Sequence, residues 1–263
     1  SICYMNGRKA KLVDEVSEND SQDEEEAIPL KKSIPMLFKN KYWVILILFN
    51  LITQITNSIA ATSGTYYCKW IFGNDNLVAL AGALGFFATL VGFVVSKPII
   101  AKLGVRKTID FGVLGAAFTA LIRCIIPTNF KVYIAVSVIG SFVQIPLMCL
   151  YGVLLAMVID YNEYTYYNKM VGVSSGAIGI GTKIGSGVGS VILTACLALG
   201  AYNPDLEVAT TSMRYAIYAF SNYLPLIINL GLFVLFRFFD LEEKLPAIHE
   251  ELARRRSQKS TEQ

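Results

Sequence analysis

The sequence predicts an all-α integral membrane protein with six transmembrane helices. Three features of its 263 residues carry that prediction. Hydrophobic residues make up 54% of the chain and charged ones only 16%. The charges cluster, leaving stretches near or above the roughly 20 residues a helix needs to cross the hydrocarbon core. Within those stretches the apolar residues run on continuously instead of alternating, which selects helices over a β-barrel.

The spans follow in order. Residues 42–68 carry no charge, with Trp43 and Trp70, Tyr66 and Tyr67 at the two ends, where interfacial aromatics belong. Residues 76–96 are a second bare run. Residues 108–126 are a weaker third, with Asp110 and Arg123 near the ends. Residues 132–159 and 215–236 are again uncharged, and 170–204 qualify apart from Lys183. Counting Lys and Arg orients the chain. With both termini inside, the inner segments hold 18 of the 23 and the outer ones four, Lys183 being the remainder. The net charge of +3 therefore reports topology, and no nucleic-acid partner is read into it.

Three segments result. Residues 1–37 read as a solvated acidic linker, with eight acids between Asp14 and Glu26 and a start, "SICYM", like the tail of an earlier apolar segment. That predicts the back half of a longer protein. Residues 38–238 are the six-helix bundle. Residues 239–263 read as a short amphipathic cytoplasmic helix fading into disorder, with Leu245, Ile248 and Leu252 on one face and His249 at the surface.

Polar residues inside the spans are the functional candidates. Asn50, Gln54 and Asn57 fall at i, i+4 and i+7, on one helical face. Interhelical hydrogen bonding would explain them, but three large amides in register favour the wall of a polar cavity. Gln144 lies two residues before Pro146 at mid-span; a kinked transporter helix or an ordinary membrane proline fits equally. Asn222 and Asn229 share a face in the last span, with the same two readings. The fifth span has glycines at 172, 176, 179, 181, 185, 187 and 189. Close helix packing accounts for most of these, and a smooth face for a sliding partner or flat ligand is the other reading. Lys183 sits four residues beyond Gly179 on that face. An ammonium near mid-bilayer costs about 2.5–3.5 kcal/mol on insertion scales, so a functional, cavity-facing lysine is expected. At the inner ends, Asp160 and Glu163 on one side and the basic stretch "KPIIAKLGVRKTID" (Lys102, Arg106, Lys107) on the other could form an ion-pair gate.

The stretch "LLAMVIDYNEYTYYNKMVGVSSGAIGIGTKIGSGVGS" resembles the tenth-to-eleventh helix region of the glycoside–pentoside–hexuronide:cation symporters, the melibiose-permease-like branch of the major facilitator superfamily (MFS). Asp160, Tyr161 and Glu163 fit the family's Asp-Tyr-x-Glu motif, and Lys183 its mid-helix lysine. Residues 38–74 look like helix seven and its flanks, and "DLEEKLPAIHEELARRR" is similar to the family's tail. The resemblance covers nearly everything from about Leu30 onward. It implies that the six spans are helices seven to twelve, the C-terminal bundle of an MFS fold, in a cation-coupled (Na⁺ or H⁺) sugar or glycoside symporter working by alternating access.

Lys183 would then face the central cavity beside Gly179 and Thr182, and the partners would be a sugar, membrane lipid and an N-terminal six-helix half. Asp160, Glu163 and Lys169 would belong to the cytoplasmic gate. The coupling ion would bind mainly in the N-terminal half. The expected location is a bacterial plasma membrane. Met157 stands where many members carry a further acid, and Lys169 where an arginine is common, so the inner gate is expected to be wired differently. Around Met148 the aromatic that members often present to the sugar is lacking.

Rival readings are an MFS transporter of a lipid or drug and a non-transporting six-helix scaffold or half-transporter. An enzyme is not expected, because no nucleophile–base pair, metal-ligand cluster or phosphate loop is present in the sequence. No cofactor or metal is called for. The five cysteines form no CxxC pair and read as small apolar filler.

Overall fold

The computed structural model describes residues 30–261, which form helices joined by short links, with no strand among them. The order is α1 (Leu30–Lys39), α2 (Lys41–Trp70), α3 (Leu77–Ile125), α4 (Phe130–Tyr166), α5 (Val171–Leu199), α6 (Thr211–Tyr218), a π-helical turn (Ala219–Tyr223), α7 (Leu224–Phe236) and the tail helix α8 (Leu241–Thr261). Most of the acidic linker, residues 1–29, lies outside the described residues.

Five helical stretches are long and apolar enough to cross a membrane: α2, α3, α4, α5 and α6 through α7. At 49 residues, α3 is about 73 Å long, more than twice the ~30 Å hydrocarbon thickness. It breaks once, at Gly104, where φ is 77° and ψ 176°, a conformation that a side chain would strain. Two arms result, α3a (77–103) and α3b (105–125), and with them six spans. The sequence reading expected a loop between the second and third spans. Instead both helices run up to a single glycine, so Lys97, Lys102 and Lys107 are carried on helix.

The break has a partner. The carboxylate of Glu242, in the first turn of α8, accepts from the backbone N–H groups of Val105 at 3.0 Å and Arg106 at 2.8 Å. Those are orphan donors at the start of α3b, and a carboxylate there also meets the positive end of the helix dipole. The tail is thus docked on the bundle. Leu241, Ile248 and Leu252 are buried in the same apolar cluster as Leu46, Leu154 and Val158. The helix runs to Thr261, further than its sequence suggested.

α4 packs between the two arms of α3 at glycines. A Cβ on Gly92 would lie 2.9 Å from Ile145, one on Gly112 2.9 Å from Leu147, and one on Gly115 would collide with Val143. These contacts bracket Pro146. At the end of the bundle away from the tail, a second cluster gathers Ile59, Tyr67, Tyr133, Met213 and Phe220.

The π turn in the last span is explained by Pro225. Its ring would clash with the carbonyl four residues back, at Ser221, in a regular α-helix. Widening the turn relieves the clash. The side chains at the turn are held: Ser63 donates to Ser221 at 2.7 Å, and Asn222 donates to Tyr67 Oη at 3.1 Å. Arg123, the basic residue in the weakest span, stacks over the rings of Tyr133 and Tyr67 at 4.5 and 5.6 Å from their centroids.

Candidate functional site

Two faces of α5 organise the site. Gly181, Gly185 and Gly189 point at α2. A Cβ on Gly185 would lie 2.7 Å from the Leu51 carbonyl and 2.8 Å from Gln54 Cβ; one on Gly189 would lie 2.7 Å from the Ile55 carbonyl. Only glycine lets the two backbones come this close. Ser58 then donates to the Ser186 carbonyl at 2.9 Å, and Thr182 donates to Asn50 Oδ1 at 3.2 Å. On the other face, Gly172, Gly176, Gly179 and Gly187 have nothing within 4 Å of where a Cβ would stand. Close packing therefore accounts for three of the seven glycines, fewer than the sequence reading expected. Lys183, eleven residues beyond Gly172 and seven beyond Gly176, lies on the open face and is exposed.

Next to the packed face, α2 opens onto a cavity of about 510 Å³. The three amides read from the sequence, Asn50, Gln54 and Asn57, all line it, with Thr182 of α5. From α4 come Ser141, Gln144, Met148 and Tyr151, at i, i+3, i+7 and i+10. Thr89 of α3a, Ala116 of α3b and Asn229 of α7 complete the far side. Gly179 and Lys183 do not line it. Among the described residues, no acidic or basic side chain is among its walls. The buried hydroxyl of Thr53 makes no hydrogen bond with the protein among the described residues, while that of Tyr151 is directed at the Asn50 amide. Asn222 belongs elsewhere, in the network below the π turn.

Sequence reasoning named the α2 amides and Gln144 but not Thr53, Thr89, Ser141 or Tyr151. The α4 residues were readable in principle, since 141, 144, 148 and 151 trace one stripe. The aromatic on that stripe is Tyr151, one turn beyond Met148. Thr53 and Thr89 carry no such signal, because threonines in membrane helices commonly satisfy themselves on the preceding turn, as Thr89 does on the Gly85 carbonyl at 2.9 Å.

The charged candidates gather at the tail end of the bundle. Asp160 meets His249 at 2.8 Å, Glu163 pairs with Arg256 at 3.0 Å, and Arg106 with Glu243 at 3.5 Å. The partners of all three come from α8. Lys102 and Lys107 are exposed on either side of Gly104. Lys169 lies in the tight link between α4 and α5, where Tyr167 and Met170 both adopt positive φ. Asp240 joins α8 to α2, bonding Lys244 at 2.7 Å and Lys41 and Tyr42 at 2.9 and 2.8 Å. These partners, Lys244 foremost, hold its carboxyl far below the usual carboxylate range, and Asp240 in turn raises the Lys244 ammonium.

Apolar spans around a polar hollow define a class: multi-pass membrane proteins with a polar cavity among their spans. Comparison with known proteins supplies the family. Residues 3–243 match the family model described as MFS/sugar transport protein, and the chain belongs to that family. Among its relatives is YagG of Escherichia coli (strain K12), a candidate glycoside/cation symporter, 19% identical over 228 residues that cover 86% of this chain and 50% of YagG. The isoprimeverose transporter of Lactiplantibacillus pentosus is 28% identical over 183 residues, 67% of this chain and 37% of that protein. The uncharacterized symporter YnaJ of Bacillus subtilis (strain 168) is 23% identical over 224 residues, 85% and 48% respectively. The chain spans half the length of these relatives or less. They are transporters and symporters, not enzymes.

Proposed function

We propose that this chain is the C-terminal six-helix half of a cation-coupled symporter for a sugar or glycoside, driven by Na⁺ or H⁺. It would sit in a bacterial plasma membrane with both ends of the chain cytoplasmic. The cavity carries this reading. Amides and hydroxyls from α2, α4 and α5 offer donors and acceptors in the number a polyhydroxylated ligand requires, within walls otherwise formed by apolar side chains. The site lies between the ends of the spans, where transporters rock one bundle against another.

In this reading the open face of α5 turns toward the other half. Lys183 is tolerated there because water, ligand or a carboxylate of the other bundle meets it instead of lipid. Asp160, Glu163, Lys169, Lys102, Arg106 and Lys107 surround the cytoplasmic mouth, with the tail helix as part of the closure. Membrane lipid covers the remaining apolar faces.

The test is gradient-driven sugar uptake by the complete transporter in liposomes, wild type against Lys183→Ala. The variant is expected to insert normally and lose most accumulation. Uptake at the wild-type level would remove Lys183 from the coupling machinery.

A further inference from the structure

Resting on the sugar reading of the cavity, we infer that the ligand it accepts is an uncharged sugar and that the site discriminates against uronic acids. The walls are the argument. Among the described residues, every polar side chain lining the 510 Å³ hollow is neutral: five amides (Asn50, Gln54, Asn57, Gln144, Asn229) and otherwise hydroxyl-bearing residues. A carboxylate placed among them would lose its water without gaining a counter-ion from any of these side chains, and a charge buried unpaired is costly. A neutral hydroxymethyl in the same position needs only hydrogen bonds, and amides supply both donors and acceptors for it.

One detail sharpens this. Tyr151 and Phe49 stand side by side on the wall, ring centroids 6.1 Å apart, so the amides share the lining with uncharged aromatic rings. The nearest cation in sequence is Lys183, which neighbours Thr182 but turns its side chain to the open face of α5.

The experiment uses a matched pair, methyl glucoside and methyl glucuronide, with the corresponding galactose pair, against the complete transporter in detergent. Binding is read by calorimetry and by melting shift. The neutral member of at least one pair is expected to bind tenfold or more tighter than its uronide. A uronide that binds as well as its neutral partner, or better, overturns the inference while leaving the sugar reading standing. If no member of either pair, and no neutral pentoside or disaccharide, binds or is taken up, the sugar reading falls and this inference with it. A gain-of-binding variant gives an independent check. Asn57→Lys, at an exposed position of the cavity wall, is expected to shift the ratio tenfold toward the uronide. An unchanged ratio in a folded, glucoside-binding variant would mean that the discriminating group lies outside this cavity, against the proposal.

Discussion

The two faces of α5 have nearly the same composition and opposite fates. One carries Gly181, Gly185 and Gly189, the other Gly172, Gly176, Gly179 and Gly187. Against α2, Gly185 and Gly189 are a packing requirement, because a methyl group would strike a backbone carbonyl at 2.7 Å, and at Gly181 it would stand 3.3 Å from the Asn50 Oδ1. On the other face no described residue comes within 4 Å of where a Cβ would stand. A helix with one face locked and one free behaves as a rail: the α2–α5 pair is fixed, and the free face is open to a partner, water or lipid. Lys183 is on the free face, the polar cavity beside the locked one.

The largest effect should follow from filling the locked face. Gly185→Ala puts a methyl group into the Leu51 carbonyl and Gln54, both held by the helix they belong to. Overpacking of this kind costs about 1–3 kcal/mol. Melting of the purified protein should drop accordingly, and Gly189→Ala should do the same through Ile55 and Ser58. With the cavity as the proposed sugar site, sugar affinity should fall too, since Gln54 lines it. An unchanged melting temperature for both variants would mean that α2 and α5 are further apart than described.

Most of the fold could be read from charge-free runs, since a span needs only length and apolarity to declare itself. The connection inside α3 could not. Lysines at 97, 102 and 107 look like a loop to any reading based on polarity, and only the positive φ of Gly104 and the Glu242 carboxylate show a helix broken once and capped. The amide stripe of α2 was legible because large polar side chains in apolar sequence stand out. The split between the glycine faces was not, because glycine looks the same whether it is crowded or bare. The partners of Asp160 and Glu163 were hidden for a different reason: they lie about 90 residues away in a tail whose composition resembles a solvated surface.

That tail offers a smaller effect, and it confines the comparison to the bundle by asking whether α8 stiffens the fixed side. Its junction with α2 is Asp240 among Lys244, Lys41 and Tyr42. The folded-state value of Asp240 is depressed, so its contribution is present above the unfolded value of about 3.9 and lost as pH falls through the folded one. For Lys244, raised in the folded state, the contribution is full below about 10.4 and lost only above its folded value. A spin-label distance between positions 102 and 257 should hold from pH 5 to 9 and lengthen in stronger acid. These pairs are exposed and screened by solvent, so Asp240→Asn should loosen the tail without unfolding the bundle. A distance that changes near neutrality in the wild type would assign the docking to other groups.

The smallest effect should come from the open face, and its sign is the informative part. Gly176 lies inside α5 in helical geometry with no atom within 4 Å of a Cβ. There Gly176→Ala removes freedom from the unfolded chain and meets no obstacle, which stabilises by about 0.4–1 kcal/mol. The same substitution, nine residues apart on one helix, should therefore raise the melting temperature at 176 and lower it at 185. On the proposed reading, a two-half transporter is the sharper place to measure it. Should the other half approach this face as closely as α2 approaches the first, Gly176→Ala would become as destabilising there as Gly185→Ala. A small gain instead means that the free face borders water or lipid in the resting state, leaving Lys183 room to change partners as the halves move.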